Sequence, residues 1–377
     1  MKPRRVIAIA RKEFLHIVRD PRSLGMAIAM PMLMLVMYGY ALTLDVDNVP
    51  LVVWDQSGTA ASRDLVSHFS GSRYFAVRQY VEDYPALERA VDTRQAMAGL
   101  VIPRDFAQEL EAGRNVAVQF IVDGSDSNTA TLAMAYAEAV TVTWSQDVSL
   151  HEARRLGARS VEEPLDFRPR VWFNADLESR NYIIPGLIAV IMMVIAALLT
   201  SLTVAREWER GTMEQLISTP VRGPELILGK LLPYFAIGML DMTIAVLMGE
   251  FLFGVPLRGS VALLFGLAAI FLTGTLSLGL LVSIVSKNQF VANQVSMVVT
   301  FLPSFLLSGF VFSIASMPQA LRLVTYLVPA RYFVTILKGI YLKGVGLEIL
   351  WFEAFLLVLF AVAVLVLANL RFKKKLV

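Results

Sequence analysis

The sequence contains no cysteine, only three histidines and few charges. Without cysteine there are no disulfides, no thiolate zinc sites and no iron–sulfur clusters. His16, His68 and His151 lie far apart, form no metal-ligand spacing and read as ordinary surface residues. A P-loop is also missing. The nearest stretch, GPELILGK at Gly223 to Lys230, has one residue too many between its glycines, and Leu231 stands where the hydroxyl belongs. No paired metal ligands or nucleophile elbow occur elsewhere. The chain is therefore not expected to be an enzyme, nor to hold a metal or cofactor of its own. Charged residues make up 17% of it, against about a quarter in soluble domains. A net charge of +3 gives no field suited to nucleic acid.

What is present is apolar. The 377 residues are 56% hydrophobic, and the mean hydropathy is +0.61. Spanning ~30 Å of hydrocarbon takes about 20 mostly apolar residues as a helix. Such runs occur at 24–44, 182–205, 226–253, 260–285, 290–313 and 348–370. The basic leader before the first run is too long, and the run itself too full, for a cleaved signal. Lys and Arg mark one side of the membrane. They are Lys2, Arg4, Arg5, Arg11, Lys12, Arg19 and Arg22 in the leader, then Arg206, Arg210, Arg222 and Lys230. Lys287, Arg371, Lys373, Lys374 and Lys375 follow the same rule, and the last cluster also suits anionic lipid. Both termini are then cytoplasmic. The expected fold class is an α-helical polytopic membrane protein with about six transmembrane helices, plus an inserted α/β extracytoplasmic domain.

That domain is expected over 45–181, between stalks at Asp45–Val49 and Asn174–Asn181. Strands are predicted at Pro50–Trp54, Tyr74–Tyr80, Met97–Ile102 and Val116–Val122, with an extended piece at Phe167–Phe173. Helices are predicted at Ala60–Phe69, Tyr84–Thr93, Arg104–Ala112 and Ser127–Leu156. The alternation is that of an α/β domain.

Residues 1–22 form a predicted interfacial helix. On a helical wheel Val6, Ile7, Ala10, Phe14, Ile17 and Val18 share one face, while Arg5, Lys12, Glu13, His16, Arg19 and Asp20 share the other. Arg11 breaks the pattern, and Pro21 stops the helix. Residues 314–347 are apolar but broken by Pro318, Pro329, Gly339 and Gly344, which favours short re-entrant helices over a straight span.

The most specific segment is AREWERGTMEQLISTPVRGPELILGK, which follows the second apolar run. Together with ARKEFLHIVRDPRSL, GLVIPRDFAQELEAG and MPQALRLVTYLVPARYFVTILKGIYLKG, it resembles permease subunits of the ABC type-2 exporter family. The likeness is to its multidrug and sodium-exporter subfamily, which has a large periplasmic domain after the first span. The resemblance runs the length of the chain, in order. It implies six spans, external re-entrant helices at 314–347 and a cytoplasmic coupling helix at 206–222. The energy would come from a separate ATPase dimer that binds ATP and magnesium. Further implied partners are a second permease copy or paralogue and membrane lipids. A periplasmic adaptor docking on the external domain is a further expectation, and the location is a bacterial inner membrane. Glu207, Glu209, Arg210, Thr212 and Glu214 would offer the ATPase polar contacts, and Met213, Leu216 and Ile217 would fill its pocket. Gly211, Thr219 and Pro220 shape the same segment. In the interfacial helix the matching residues are Arg11, Glu13, Phe14, Arg19 and Asp20.

Asp241 falls near the middle of the third span, where a carboxylate costs several kcal/mol unless paired or neutralised. It is a substrate-path candidate, as are Thr200, Asn293 and Gln294. A structural hydrogen bond is the alternative for each. Two other functions fit parts of the sequence. One is an ion-coupled transporter using Asp241, which would work without an ATPase. The other is a receptor whose external domain binds a ligand without transport.

Overall fold

Pro3 opens the first helix, α1 (Pro3–Arg19), at a position where its missing N–H costs nothing. Asp20, held extended by the proline that follows, ends it at φ −106° and ψ 92°. Pro21 then opens α2 (Pro21–Ala41), whose apolar stretch runs Ala27–Ala41. The computed structural model describes residues 2–42, 47–155, 172–174 and 178–372. The predicted extended piece at Phe167–Phe173, parts of both stalks and the Lys373–Lys375 cluster therefore lie largely or wholly outside the described residues. The chain divides into two compact units, Met1–Thr43 with Arg170–Val377, and Leu44–Pro169.

The Leu44–Pro169 unit alternates strands and helices in chain order. These are β1 (Val49–Asp55), α3 (Ala60–Gly71), β2 (Phe75–Tyr80), α4 (Tyr84–Asp92), β3 (Ala98–Ile102), α5 (Phe106–Glu111), β4 (Gln119–Val122) and α6 (Ser127–Arg155). The sheet order is β2-β1-β3-β4; β1 runs parallel to both neighbours and β4 antiparallel to β3. Strands covered on both faces read as unbroken apolar runs rather than alternating ones, and LVVW in β1 does so. Leu51 and Val53 pack with Leu65, Phe69, Phe75 and Trp144 on one face. Val52 packs with Leu87, Ala90 and Val101 on the other. Trp144 of α6 donates its indole N–H to Asp64 of α3 at 2.8 Å, tying the two helices.

The other unit continues with α7 (Ser179–Glu209), α8 (Thr212–Ser218), α9 (Gly223–Leu247), α10 (Val261–Ser286), α11 (Gln289–Leu307), α12 (Gln319–Val324), α13 (Pro329–Lys338) and α14 (Leu347–Arg371). Residues Met248–Leu252 extend α9 as a wider π turn. Among the described residues, α7, α9 with its extension, α10, α11 and α14 are long and apolar enough to cross a membrane. A sixth crossing exists if the pair Gln319–Leu327 and Pro329–Lys343, bent by 87°, counts as one. That bend falls at Val328, which Pro329 keeps extended at φ −94° and ψ 108°.

An apolar helix without an amphipathic stripe belongs in the middle of a bundle. α7 is that helix, buried on nearly all sides and packed against α2, α9, α10, α11 and α13. Its contact with α11 is made of small residues at every fourth position, Ala292, Ser296, Thr300 and Ser304, all buried. Ser296 donates to Ala197 O at 3.3 Å, and Ser304 reaches Met193 Sδ at 2.8 Å. The rest of α11 is open, including Phe290, Val298 and Leu302.

Candidate functional site: a buried charge cluster around the α7–α9 connection

Within residues 206–222, α7 runs on to Glu209 and the only separate described helix is the seven-residue α8. Gly211 makes the break. It adopts φ +70°, a left-handed conformation that side chains resist, and so turns the chain sharply into α8. Thr212 Oγ1 reaches back to Glu207 O at 3.4 Å.

Around this turn four ionisable side chains converge from three helices. Lys230 of α9 is 2% exposed, and its Nζ donates to Glu13 Oε1 of α1 at 2.8 Å. The same Nζ lies 3.1 Å from Glu207 Oε1 at the end of α7. Lys12 of α1 closes the group on Glu207 Oε1, also at 3.1 Å. Each carboxylate thus has a cation, and Lys230 and Lys12 together balance the two negative charges. A buried charge survives only with such partners.

A third carboxylate holds the other end of α1. Glu225 is 1% exposed; it accepts from the backbone N–H of Lys2 at 2.8 Å and of Arg222 at 2.9 Å. The Arg5 guanidinium lies 3.5 Å from it and also donates to Pro220 O. Between these anchors α1 crosses α9 at Gly229. A Cβ added there would sit 2.7 Å from Ile9 Cβ and 3.1 Å from Val6 O. Close approach of backbones is what lets a lysine one residue further on reach Glu13.

Three expectations change here. Glu13 does not share the outer polar face of α1. The buried residues of that helix are Ile9, Glu13 and Ile17, whereas Ile7, Phe14 and Val18 are exposed. The helix therefore has three sectors rather than two: one against protein, one apolar and open, one basic and open. Glu207 is turned inward onto Lys230 and Lys12 instead of outward. Met213 is buried at 1% exposure, because the turn at Gly211 folds α8 back so that this residue joins the bundle core.

The remaining predicted residues fall as follows. Glu209 is exposed and accepts from Gln289 N at 2.8 Å and from its side-chain amide, joining α7 to the start of α11. Arg210, Glu214 and Pro220 are exposed, Thr212, Leu216 and Thr219 half-buried. The side chain of Ile217 is outside the described set. Arg11, Phe14 and Arg19 are exposed and Asp20 half-buried. Thr200 donates to Leu276 O at 2.8 Å and so bonds α7 to α10. Asn293 and Gln294 are exposed on the open side of α11. Asp241 is 1% exposed, and its Oδ1 has no hydrogen-bond partner among the described residues.

Sequence reading missed Lys230 and Glu225 as parts of this site. The available signal was a lysine four residues inside an apolar run, since such a charge demands a partner.

The protein-family model described as "ABC-2 family transporter protein" matches residues 21–370. The chain is 40% identical to the "Probable multidrug ABC transporter permease YbhS" of Escherichia coli (strain K12), covering 99% of this chain and 98% of that one. It is 28% identical to the "Probable multidrug ABC transporter permease YbhR" of the same organism, covering 92% of each. It is also 25% identical to "ABC transporter G family member 20" of Dictyostelium discoideum, over 94% of this chain and 48% of that protein. A family match over nearly the whole length, together with a bundle gathered around a charged connection at the end of α7, shows that this chain belongs to the ABC-2 family of transporter proteins.

Proposed function

We propose that the chain is the permease subunit of an ATP-driven exporter in a bacterial inner membrane, with α8 and its flanks as the coupling segment. A separate ATPase dimer, binding ATP and magnesium, would press on this segment and re-orient the spans. α2 is read as the first of six spans, with α7, α9, α10, α11 and α14 as the others. Both termini and α8 are then cytoplasmic, and the Leu44–Pro169 unit is extracytoplasmic, a surface for a periplasmic adaptor. The short helices α12 and α13 are re-entrant from that outer side. A second permease copy or paralogue completes the pathway, and Asp241, Asn293 and Gln294 are candidates for lining it. Family resemblance supports the exporter, six-span, re-entrant-helix and two-copy readings, the distribution of Lys and Arg supports the orientation, and burial of a carboxylate inside α9 supports Asp241.

One observation carries the coupling assignment. The ends of α1, α7 and α9 are locked to each other by Lys230, Glu13, Glu207 and Lys12, so a force on α8 moves three helices as one. Rigid transmission of this kind is what a two-state gate requires. Glu214, Gln215 and Ser218 are exposed polar groups that α8 offers the ATPase.

The test uses the purified full chain in nanodiscs and the ATP-binding-cassette subunit encoded beside its gene. Glu214→Lys should abolish binding of that subunit while leaving the melting temperature of the permease unchanged. Undiminished binding by a folded Glu214→Lys chain would remove α8 from the interface. No binding by the unaltered, folded chain would remove the coupling assignment altogether.

A further inference from the structure

The outer side of α1 and the turn after α7 bound an open cleft of about 870 Å³. Five basic side chains line it, Arg11, Lys12, His16, Arg19 and Arg210, against one carboxylate, Asp20. Lys12 is held by Glu207. Arg11, His16, Arg19 and Arg210 form no ion pair among the described residues. An anion is the complement of such a cleft.

The position of the cleft on α1 decides which anion. At 100° per residue the basic sector adjoins the exposed apolar sector of Ile7, Phe14 and Val18, and the two meet at Arg11. The protein-facing sector, Ile9, Glu13 and Ile17, lies beyond. A helix so divided rests with its apolar sector among acyl chains, and its flanking cations reach the depth of lipid phosphates. Leu15, 42% exposed, adds an apolar wall inside the cleft.

We propose that this cleft binds the headgroup of an anionic phospholipid, whose phosphate lies among Arg11, Arg19 and Arg210 and whose acyl chains run along Ile7, Phe14 and Val18. The bound lipid would fix the depth of α1 beside the coupling turn. The proposal concerns the permease alone and does not depend on an ATPase.

The test is native mass spectrometry of the full chain in detergent, titrated with phosphatidylglycerol or phosphatidylcholine. Phosphatidylglycerol should bind about fivefold tighter, as roughly one extra cationic contact predicts. Arg11→Gln/Arg19→Gln/Arg210→Gln should erase the preference, and Arg11→Lys/Arg19→Lys/Arg210→Lys should keep it. Should the glutamine triple fail to fold, Arg19→Gln alone should reduce the preference. Full preference in a folded glutamine variant overturns the proposal. So does displacement of the lipid by millimolar inorganic phosphate, which would make this a free-phosphate site. Displacement by the ATPase subunit also overturns it, since the cleft would then be a protein interface.

Discussion

Lys230 Nζ lies 2.8 Å from Glu13 Oε1 across 217 positions of sequence, and both side chains are buried. The pair joins α1 to α9, the helix that follows the turn at Gly211. Removing one partner leaves charge stranded out of water, at a cost of about 3–5 kcal/mol, whereas removing both together is often close to neutral. Lys230→Met should therefore lower the melting temperature sharply in detergent, because Glu13 then loses its cation and Glu207 keeps only Lys12. Glu13→Gln combined with Glu207→Gln and Lys230→Met should recover most of the loss. A Lys230→Met chain as stable as its parent would show that the cluster is not holding α1.

The crossing beside that lysine gives a pair of glycine substitutions with opposite signs. At Gly229 an added Cβ meets Ile9 Cβ at 2.7 Å and backbone at 3.1 Å, so Gly229→Ala should destabilise by about 1–3 kcal/mol through overpacking. At Gly266, exposed in the first half of α10, an added Cβ meets nothing within 4 Å. Gly266→Ala should leave stability unchanged or raise it by up to about 1 kcal/mol through helix propensity. Thermal unfolding of the two variants side by side measures this. Equal effects would mean that α1 does not pack on α9 as closely as described.

Much of the fold was legible because its signals are local. Apolar runs and prolines located α7, α9, α10 and α14 to within a few residues. The strands β1 to β3 followed, to within a residue at either end, from short apolar runs between turn residues, and the fourth was overdrawn further: Val118 packs against the core but lies outside β4, which is Gln119–Val122. The site was harder. A helical wheel assumes two environments, water and apolar, and assigns Glu13 to water on chemical type. α1 has a third environment, protein, and which residues face it depends on the lysine and glycine of a helix more than two hundred residues away. No periodicity in α1 encodes that partner. Glu207, which the resemblance offers to the ATPase, likewise has its charge matched from distant helices, by Lys230 and Lys12.

The absence of cysteine makes the chain its own background for single-cysteine labelling, which tests the proposed orientation. Ser70 on α3 and Ser218 at the end of α8 are both exposed. In cells with a permeable outer membrane, an impermeant maleimide should label Ser70→Cys directly. Ser218→Cys should react only after the inner membrane is opened. The reverse pattern, or equal labelling of both, would refute the arrangement with α8 cytoplasmic and the Leu44–Pro169 unit outside.

Asp241 supplies the last prediction. Its carboxylate sits inside α9 at 1% exposure, with Oδ1 unpartnered among the described residues. A charged or acidic group in the middle of a span is expensive, by about 2.5–3.5 kcal/mol on insertion scales, and nothing nearby repays it by hydrogen bonding to that oxygen. Asp241→Leu, similar in volume and apolar, should therefore raise the melting temperature of the purified permease. If Asp241 lines the export path, the same substitution should reduce substrate efflux from cells that carry the complete exporter, while membrane abundance stays level. A gain in stability joined to a loss of transport is the pattern of a residue kept for function at a cost in stability. A loss of stability would instead assign Asp241 a structural bond, and unchanged efflux would remove it from the path.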